Sequence, residues 1–480
     1  MITFLVAIVL LIVGYYTYGK YVEKTFGIKE ERKTPAYTMK DGVDYLPMGK
    51  SKNSLIQLLN IAGVGPIFGP ILGALYGPVA FIWIVLGAIF AGAVHDYLTG
   101  MISIRNRGAH LPELAGKFLG KSYKHVVNVF ALLLLLLVGT VFVSAPAALI
   151  HSLINGWMGV GVIAGLIFVY YFLATLLPID KIIGRLYPFF GALLLISALG
   201  IGGMLIFTGA PIPEITLKNM HPAGLAIFPL LFLTISCGAL SGFHATQSPI
   251  ISRTIQNEKN GRSVFYGMMI IEAIIAMIWA AAAMSLFYGT DLNALIQSGG
   301  PAAVVNEISI TLLGAIGGTL AIIGVIILPI TSGDTAFRSA RMIIADYMKI
   351  GQVKISNRLW ITLPMFAISF MLTHMDFSLL WRYFTWANQS TSTIALWVGA
   401  MYLAQSGKKH WMASIPASFM TMVVFTYILN AKIGFGLSMQ ISYIVAAIGT
   451  IAVIGAFTRA VYFSQGAILK SVDDETFNAA

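Results

Sequence analysis

The chain has 480 residues, of which 58% are hydrophobic and only 10% are charged, and its mean hydropathy is +0.84. Because soluble domains carry roughly 25% charged residues, most of this chain is solvated by lipid. Its apolar runs are continuous rather than alternating, which favours membrane-spanning helices over a β-barrel. The net charge of +11 does not indicate nucleic-acid binding, since basic residues collect in the cytoplasmic loops of membrane proteins.

The apolar segments predict an all-α polytopic membrane protein. The first segment lacks the basic start and the cleavage site of a signal peptide, so we expect a retained helix. A bilayer core needs about 20 apolar residues per helix. On this basis the sequence predicts thirteen transmembrane helices, at 2–19, 54–76, 78–103, 125–150, 159–178, 186–208, 222–249, 263–288, 308–331, 359–374, 380–405, 411–430 and 439–463.

The basic residues give the predicted orientation. With thirteen helices and the N-terminus outside, 27 of the 30 lysines and arginines fall on the inner side, and the exceptions are Lys218, Arg382 and Lys432. This asymmetry supports a cytoplasmic C-terminus.

Residues 60–78 place five glycines and three prolines inside an apolar segment. Pro66 and Pro70 each lack an amide donor and disturb the preceding turn, so we expect the second helix to be broken. Unpaired backbone groups at membrane depth must face protein or a watery cavity, where they can bind an ion or a carboxylate. Close helix packing through small residues is the alternative. The expected substrate contacts are Gly63, Gly65, Pro66 and Gly69.

A second break is predicted in the seventh helix, within 234–249. Glycines, hydroxyl groups and Pro249 interrupt this apolar segment. His244 is the titratable group of interest here, because a histidine changes charge near working pH; a structural hydrogen bond is the alternative. The expected substrate contacts are Gly238, Ser241, Gly242, His244 and Gln247.

The two breaks lie five helices apart, so the broken helices run in opposite directions. This arrangement is typical of secondary transporters built from inverted five-helix repeats. We therefore predict the following division: 1–53, a first helix and a cytoplasmic loop; 54–208, the first repeat; 222–405, the second repeat; 411–463, two additional helices; and 464–480, a cytoplasmic tail.

A third polar cluster lies at the inner end of the ninth predicted helix. Its oxygens suit a small cation such as Na⁺, but Asp334 is also able to cap a following helix. Both interpretations stay open. The residues considered for ion coupling in this cluster are Thr331, Ser332 and Asp334.

Three further ionisable residues lie at membrane depth. Glu272 must be paired or protonated there, which suits a proton relay or a structural hydrogen bond. His95 and Asp96 point about 100° apart on a helix and need not contact each other. We expect one of them to face Arg105 or Arg107 as a gate or tether, and we predict no metal site. Glu272, His95 and Asp96 are all included among the residues considered for ion or proton coupling.

Asn388 and Gln389 are neutral amides in the eleventh predicted helix. Such groups at depth either bind a polar substrate or join helices together. We include both residues among the expected substrate contacts.

Five motifs resemble the carbon starvation (CstA) family of membrane transporters. They are "NIAGVGPIFGP", "AGAVHDY", "CGALSGFHATQS", "TSGDTAFRSAR" and "WRYFTWANQ", in order between residues 54 and 405. The resemblance implies a location in the bacterial cytoplasmic (inner) membrane and uptake of peptides or pyruvate during nutrient limitation, with proton coupling for the pyruvate carriers. It also implies kinship with inverted-repeat amino-acid transporters.

The sequence thus predicts a symporter that imports a small carboxylate together with H⁺ or Na⁺. We expect no catalytic residues, no resident cofactor and no nucleic-acid partner. A channel is the first alternative, although a pore usually repeats its filter around a symmetry axis. An intramembrane metal-dependent enzyme is the second, although no His-Glu-x-x-His motif occurs in the chain.

Overall fold

The computed structural model describes residues 1–42, 44–176, 179–287, 290–352 and 354–465. Within these ranges the chain is helical, and the only β-type pairing is an isolated bridge between Met48 and Ile255. The α-helices are α1 (Ile2–Tyr16), α2 (Tyr18–Phe26), α3 (Pro35–Thr38), α4 (Lys50–Ile61), α5 (Gly65–Gly73), α6 (Val79–Gly87), α7 (Ala93–Arg105), α8 (Leu111–Phe118), α9 (Lys121–Leu153), α10 (Val160–Leu176), α11 (Ile179–Phe207), α12 (Ile227–Thr234), α13 (Gly242–Ser252), α14 (Gly267–Leu286), α15 (Thr290–Met348), α16 (Ile355–Leu372), α17 (Phe377–Gln405), α18 (Trp411–Asn430) and α19 (Met439–Gln465).

Eight of the described helices are long and apolar enough to cross a membrane, or nine if the bent pair α4–α5 counts as one span. Shorter apolar helices add Val160–Thr175 and Gly191–Phe207. The all-helical membrane architecture is therefore confirmed, while the count of thirteen spans and the division into segments stay predictions. Most of the predicted tail, 464–480, lies outside the described residues.

The first predicted break is present between α4 and α5. The two helices differ in direction by 49°. Ala62 leaves the helical conformation with φ −81° and ψ 64°. Pro66 then lies in the first turn of α5, where a missing amide costs nothing because no carbonyl awaits it.

The second predicted break is present between α12 and α13. Residues 235–241 are not helical, and Gly238 adopts a left-handed conformation with φ +85°. A side chain strains the backbone in this region, so glycine is the residue that fits.

The two breaks lie against each other, and glycines make this approach possible. A Cβ atom added at Gly65 would lie 2.4 Å from Cys237 Sγ, closer than any real contact. One added at Gly69 would lie 3.0 Å from the carbonyl oxygen of Thr234. Two interrupted helices thus meet at the centre of the fold, as the sequence predicted.

The expectation that Asp334 caps a helix is wrong. α15 runs from Thr290 to Met348, with non-helical backbone only at Gly300 and Gly314. Asp334 lies well inside its last helical stretch, where the backbone amides are already paired along the helix. A capping side chain has no free amides to bind at that position.

The predicted cytoplasmic loop contains a segment that we call the strap, residues 27–42 and 44–48. It crosses the connection between α13 and α14. Glu258 of that connection is fully buried and accepts hydrogen bonds from the Lys29 amide at 2.9 Å and from Arg105 at 2.8 and 3.1 Å. The Met48 amide donates to the Thr254 carbonyl at 2.9 Å. The strap thereby joins α4 to the end of α13.

Candidate functional site

Three helices bring four buried ionisable side chains into one row. His244, on α13, places Nδ1 2.9 Å from Asp96 Oδ2 on α7. Its other nitrogen, Nε2, lies 3.3 Å from Glu272 Oε2 on α14, and all three side chains are fully buried. His95 Nδ1 lies 2.8 Å from Asp96 Oδ1. We call His95, Asp96, His244 and Glu272 the relay.

The sequence left the pairing of His95 with Asp96 open, and the structure brings the two side chains into contact. The carboxylate reaches back to the adjacent imidazole although the Cα–Cβ directions diverge. The guanidinium of Arg105 binds Glu258, the Gly27 carbonyl and the Tyr402 hydroxyl, so it tethers α7 to the α13–α14 connection. A contact of His95 or Asp96 with Arg107 stays a prediction.

Glu272 is incompletely bonded. Two groups approach its carboxylate, Nε2 of His244 and the backbone amide of Gly238, and neither makes a hydrogen bond of good geometry. Charged groups without full pairing are expensive away from water. Binding of a proton or a ligand at the relay would therefore lower the free energy of the folded protein.

The amides of α17 hold the second break in place. Asn388 Oδ1 accepts from the Phe243 amide at 2.8 Å and from Ser241 Oγ at 3.2 Å, and its Nδ2 donates to the Ser236 carbonyl at 3.2 Å. Gln389 Nε2 donates to the carbonyls of Phe232 and Leu240, each at 3.1 Å. These bonds replace the helical bonds that residues 235–241 lack.

The other predicted substrate contacts line the same centre. Gly242 packs directly on α17, because an added Cβ would lie 2.2 Å from the Asn388 carbonyl oxygen. Gly63 packs on the ring of Phe142. Gln247 Nε2 donates to Thr246 Oγ1 at 2.9 Å, whereas its Oε1 is buried with no hydrogen-bond partner in the described chain.

The predicted ion cluster on α15 lies beside the first break. Ser332 Oγ donates to the Leu59 carbonyl of α4 at 2.8 Å, and Thr331 Oγ1 donates to the Leu328 carbonyl. Asp334 Oδ2 lies 3.4 Å from the guanidinium of Arg338. The cluster thus contacts the helix that precedes the first break, but its carboxylate already has a cationic partner.

Sequence reasoning missed two buried amides on α4. Gln57 and Asn60 are almost fully buried, and no polar atom of either side chain has a hydrogen-bond partner among the described residues. The signal was present in the sequence: Asn53, Gln57 and Asn60 are spaced four and three residues apart and so share one helix face.

An open cavity of about 290 Å³ lies between α5, α9 and the start of α17. Its lining includes Phe68 of α5, Ser144 of α9, the turn at Gly300, and Phe377 and Leu380 at the start of α17. It is large enough for a small organic acid or a short peptide.

Cys237, His244 and Glu272 each offer one donor atom, and these atoms lie within 4.8 Å of one another. A metal ion could use such a set. Three donors of mixed type are one fewer than the four ligands of a structural zinc site.

The matching family profile decides the identity. A profile described as carbon starvation protein CstA matches residues 1–165, 160–314 and 293–427. The chain belongs to the CstA family. This confirms the resemblance predicted from the five motifs.

Named CstA relatives are transporters. The chain is 24% identical to the peptide transporter CstA of Bacillus subtilis, over 86% of this chain and 88% of that protein. It is 27% identical to the pyruvate/proton symporter BtsT of Escherichia coli, over 57% of this chain and 47% of the relative. An uncharacterized membrane protein of Haemophilus influenzae is 49% identical over 60% of this chain and 91% of its own length. The chain spans about half the length of BtsT.

Solved transporters share the fold of this CstA-family chain. The manganese transporter of Eremococcus coleocola, in complex with an aromatic bis-isothiourea compound, matches with a TM-score of 0.55 and 11% identity over 90% of this chain and 99% of its own. MhsT in complex with L-phenylalanine matches with a TM-score of 0.56 and 13% identity, over 87% and 99%. At these identities the likeness shows the fold alone. The chain is a multi-pass membrane transporter rather than an enzyme.

Proposed function

We propose that this transporter imports a small carboxylate nutrient, pyruvate or a short peptide, together with protons across the bacterial inner membrane during starvation. The relay is the observation that carries the proposal. One imidazole stands between two fully buried carboxylates beside the second helix break. The names of the CstA-family relatives support both the cargo class and the coupling ion.

The relay suits proton coupling because of its charge. With His244 protonated and His95 neutral, Asp96 and Glu272 together leave one uncompensated negative charge on the relay. Burial makes such a charge expensive, so uptake of one more proton is favourable. The relay joins α7, α13 and α14, and a change in its charge therefore alters how these helices pack.

The helix breaks suit a carboxylate. α5 and α13 each begin at a break, and the first turn of a helix presents amides and a positive dipole end to an anion. Both breaks are buried and face each other. The residues proposed to contact the cargo are those of the two breaks, namely Gly63, Gly65, Pro66 and Gly69 with Gly238, Ser241, Gly242, His244 and Gln247.

Sodium coupling at Thr331, Ser332 and Asp334 is the less favoured alternative. The carboxylate of Asp334 faces the guanidinium of Arg338 at 3.4 Å. A cation site of this kind needs a carboxylate that is not already neutralised by a basic side chain.

Uptake by purified protein in liposomes tests the proposal. Labelled pyruvate and a labelled dipeptide are supplied outside, with an inward proton gradient, an inward sodium gradient, or neither. We expect saturable accumulation of one cargo only with the proton gradient. Accumulation driven by sodium alone contradicts proton coupling, and non-saturating flux in all three conditions contradicts a carrier.

The orientation is proposed with the N-terminus outside and the C-terminus in the cytoplasm. The distribution of basic residues supports it. Thiol labelling of whole cells with a membrane-impermeant reagent tests it, using Lys218→Cys for the outside and Lys409→Cys for the cytoplasm. If position 409 is labelled and position 218 is not, the orientation is opposite to the one proposed.

A further inference from the structure

A second, smaller cavity lies on the strap side of the breaks. Its volume is about 40 Å³, and its walls come from α4, the end of α13, α15 and the strap. It is separate from the relay and from the open cavity near Phe68. The polar residues that line it are Asp44, Asn60, Arg253, Thr254, Thr335 and Arg338.

Asn60 points to a ligand here. Its side chain is 1% exposed, and neither amide atom has a hydrogen-bond partner within the described ranges. Arg338 Nε is likewise buried and without a partner. Leaving donors of this kind unpaired is unfavourable, so a bound acceptor would be stabilised.

The available donors match a carboxylate. The cavity holds about three water-sized volumes, which is room for a carboxyl head group. Arg253 and Arg338 contribute positive charge, against Asp44 in the lining and Asp334 at 3.4 Å from Arg338. Arg338 Nε and Asn60 Nδ2 are donors without a hydrogen-bond partner among the described residues, whereas Arg253 Nε already donates to the Gly108 carbonyl at 3.1 Å.

We infer that this cavity is a cytoplasmic release site for the carboxylate cargo. The inference rests on the proposed function. The cargo passes from the breaks along α4 to Asn60 and Arg338 and leaves when the strap moves. Asp44 and Met48 close the cavity on the strap side. The backbone amide of Met48 donates a hydrogen bond to the Thr254 carbonyl at 2.9 Å, which holds Met48 in place.

Sided transport kinetics in liposomes test the release site, with pyruvate as the probe. Asn60→Leu keeps the side-chain size but removes the amide. Gln57→Met is the matched control, since Gln57 is an equally buried, unpartnered amide on α4 that does not line the cavity. We expect Asn60→Leu to raise the KM measured from the cytoplasmic face about tenfold or more and to leave the outer KM unchanged. An unchanged inner KM, or an equal rise on both faces, overturns the inference.

Thiol labelling separates a failure of the release site from a failure of the proposed function. Asn60→Cys is exposed from the cytoplasmic face to an anionic or a cationic methanethiosulfonate, with Gln57→Cys as the control and the native chain, whose Cys237 is buried, as the blank. We expect faster reaction with the anionic reagent at position 60 only. Equal rates, or faster cationic labelling, overturn the inference even if pyruvate is transported. If pyruvate is not transported, the proposed function fails while the labelling result still decides the anion site.

Discussion

Nδ1 of His244 and Oδ2 of Asp96 lie 2.9 Å apart although 148 residues separate them in the chain. Both side chains are fully buried. A change in the charge of one side chain therefore changes the electrostatic energy of the other, because little solvent lies near them to screen the interaction. This contact ties the second broken helix to α7.

Asp96→Asn is expected to abolish proton-driven accumulation while leaving exchange of labelled for unlabelled cargo. The amide keeps a hydrogen bond to His244 but cannot carry the charge that a proton neutralises. Accumulation and counterflow in liposomes measure the two activities separately. Thr99→Val, on the same helix, is the control and should retain both, since the Thr99 hydroxyl donates only within α7 and to Ser248 at 3.4 Å. Wild-type accumulation by Asp96→Asn would remove the relay from the coupling mechanism.

Asn388→Leu is expected to lower the free energy of unfolding by about 2–4 kcal/mol, because it leaves the buried Phe243 amide and Ser236 carbonyl unpaired. Chemical unfolding in detergent measures this. Ser390→Ala is the matched control, since that hydroxyl donates only to the Trp386 carbonyl one turn earlier, and it should change stability by less than about 0.5 kcal/mol. Equal stability of the two variants would mean that Asn388 does not support the break.

The helix breaks were predictable because their cause is local. Proline and glycine change the backbone at their own positions: Gly65 and Pro66 begin α5 after the first break, and Gly238 lies within the second. The pairing of Glu258 with Arg105 was not predictable, because it depends on how two segments 153 residues apart pack.

The same distinction between local and long-range causes applies to the candidate site. Residue type and membrane depth indicated His244, Asp96 and Glu272 one at a time, whereas their row depends on the angles between α7, α13 and α14. The capping alternative for Asp334 is wrong for the opposite reason, because α15 continues through that position with its apolar face packed on α9. Its role in ion coupling stays a prediction.

Gly242→Ala is expected to destabilise the protein by about 3 kcal/mol or more, because the new Cβ would meet the backbone of α17, 2.2 Å from the Asn388 carbonyl oxygen. Gly203→Ala is the matched control. No atom of the described residues lies within 4 Å of an added Cβ there, and alanine favours the helix by up to about 1 kcal/mol. Unfolding midpoints in one detergent compare the two. Similar midpoints would show that α13 and α17 are not closely packed in solution.

Glu258→Gln is expected to release the strap, because it leaves the buried Arg105 guanidinium without its carboxylate. Breaking a buried pair in this way costs about 3–5 kcal/mol. Hydrogen exchange of residues 27–34 should accelerate. Glu30→Gln is the control, since its pair with Lys259 is at 3.3 Å and both side chains are more than half exposed, so its loss is worth at most about 1 kcal/mol. Unchanged exchange in Glu258→Gln would show that other contacts hold the strap.

Glu214 is expected to make the start of α1 sensitive to acid. Its pKa is lowered from 4.5 to about 2, first because its carboxylate accepts a bond from the Met1 amino group and then because it accepts bonds from Thr3. A pKa that is lower in the folded state means that the contact stabilises above about pH 4.5 and is lost as the pH falls towards 2. Hydrogen exchange of the Ile2 and Thr3 amides, which donate to Glu214 at 2.9 and 2.8 Å, should therefore be faster at pH 3 than at pH 5 after correction for intrinsic rates. Glu214→Gln should show the faster exchange already at pH 5 and no further change at pH 3. Protection that does not depend on pH in the native chain, or native protection in the variant, would mean that the carboxylate does not hold this helix end.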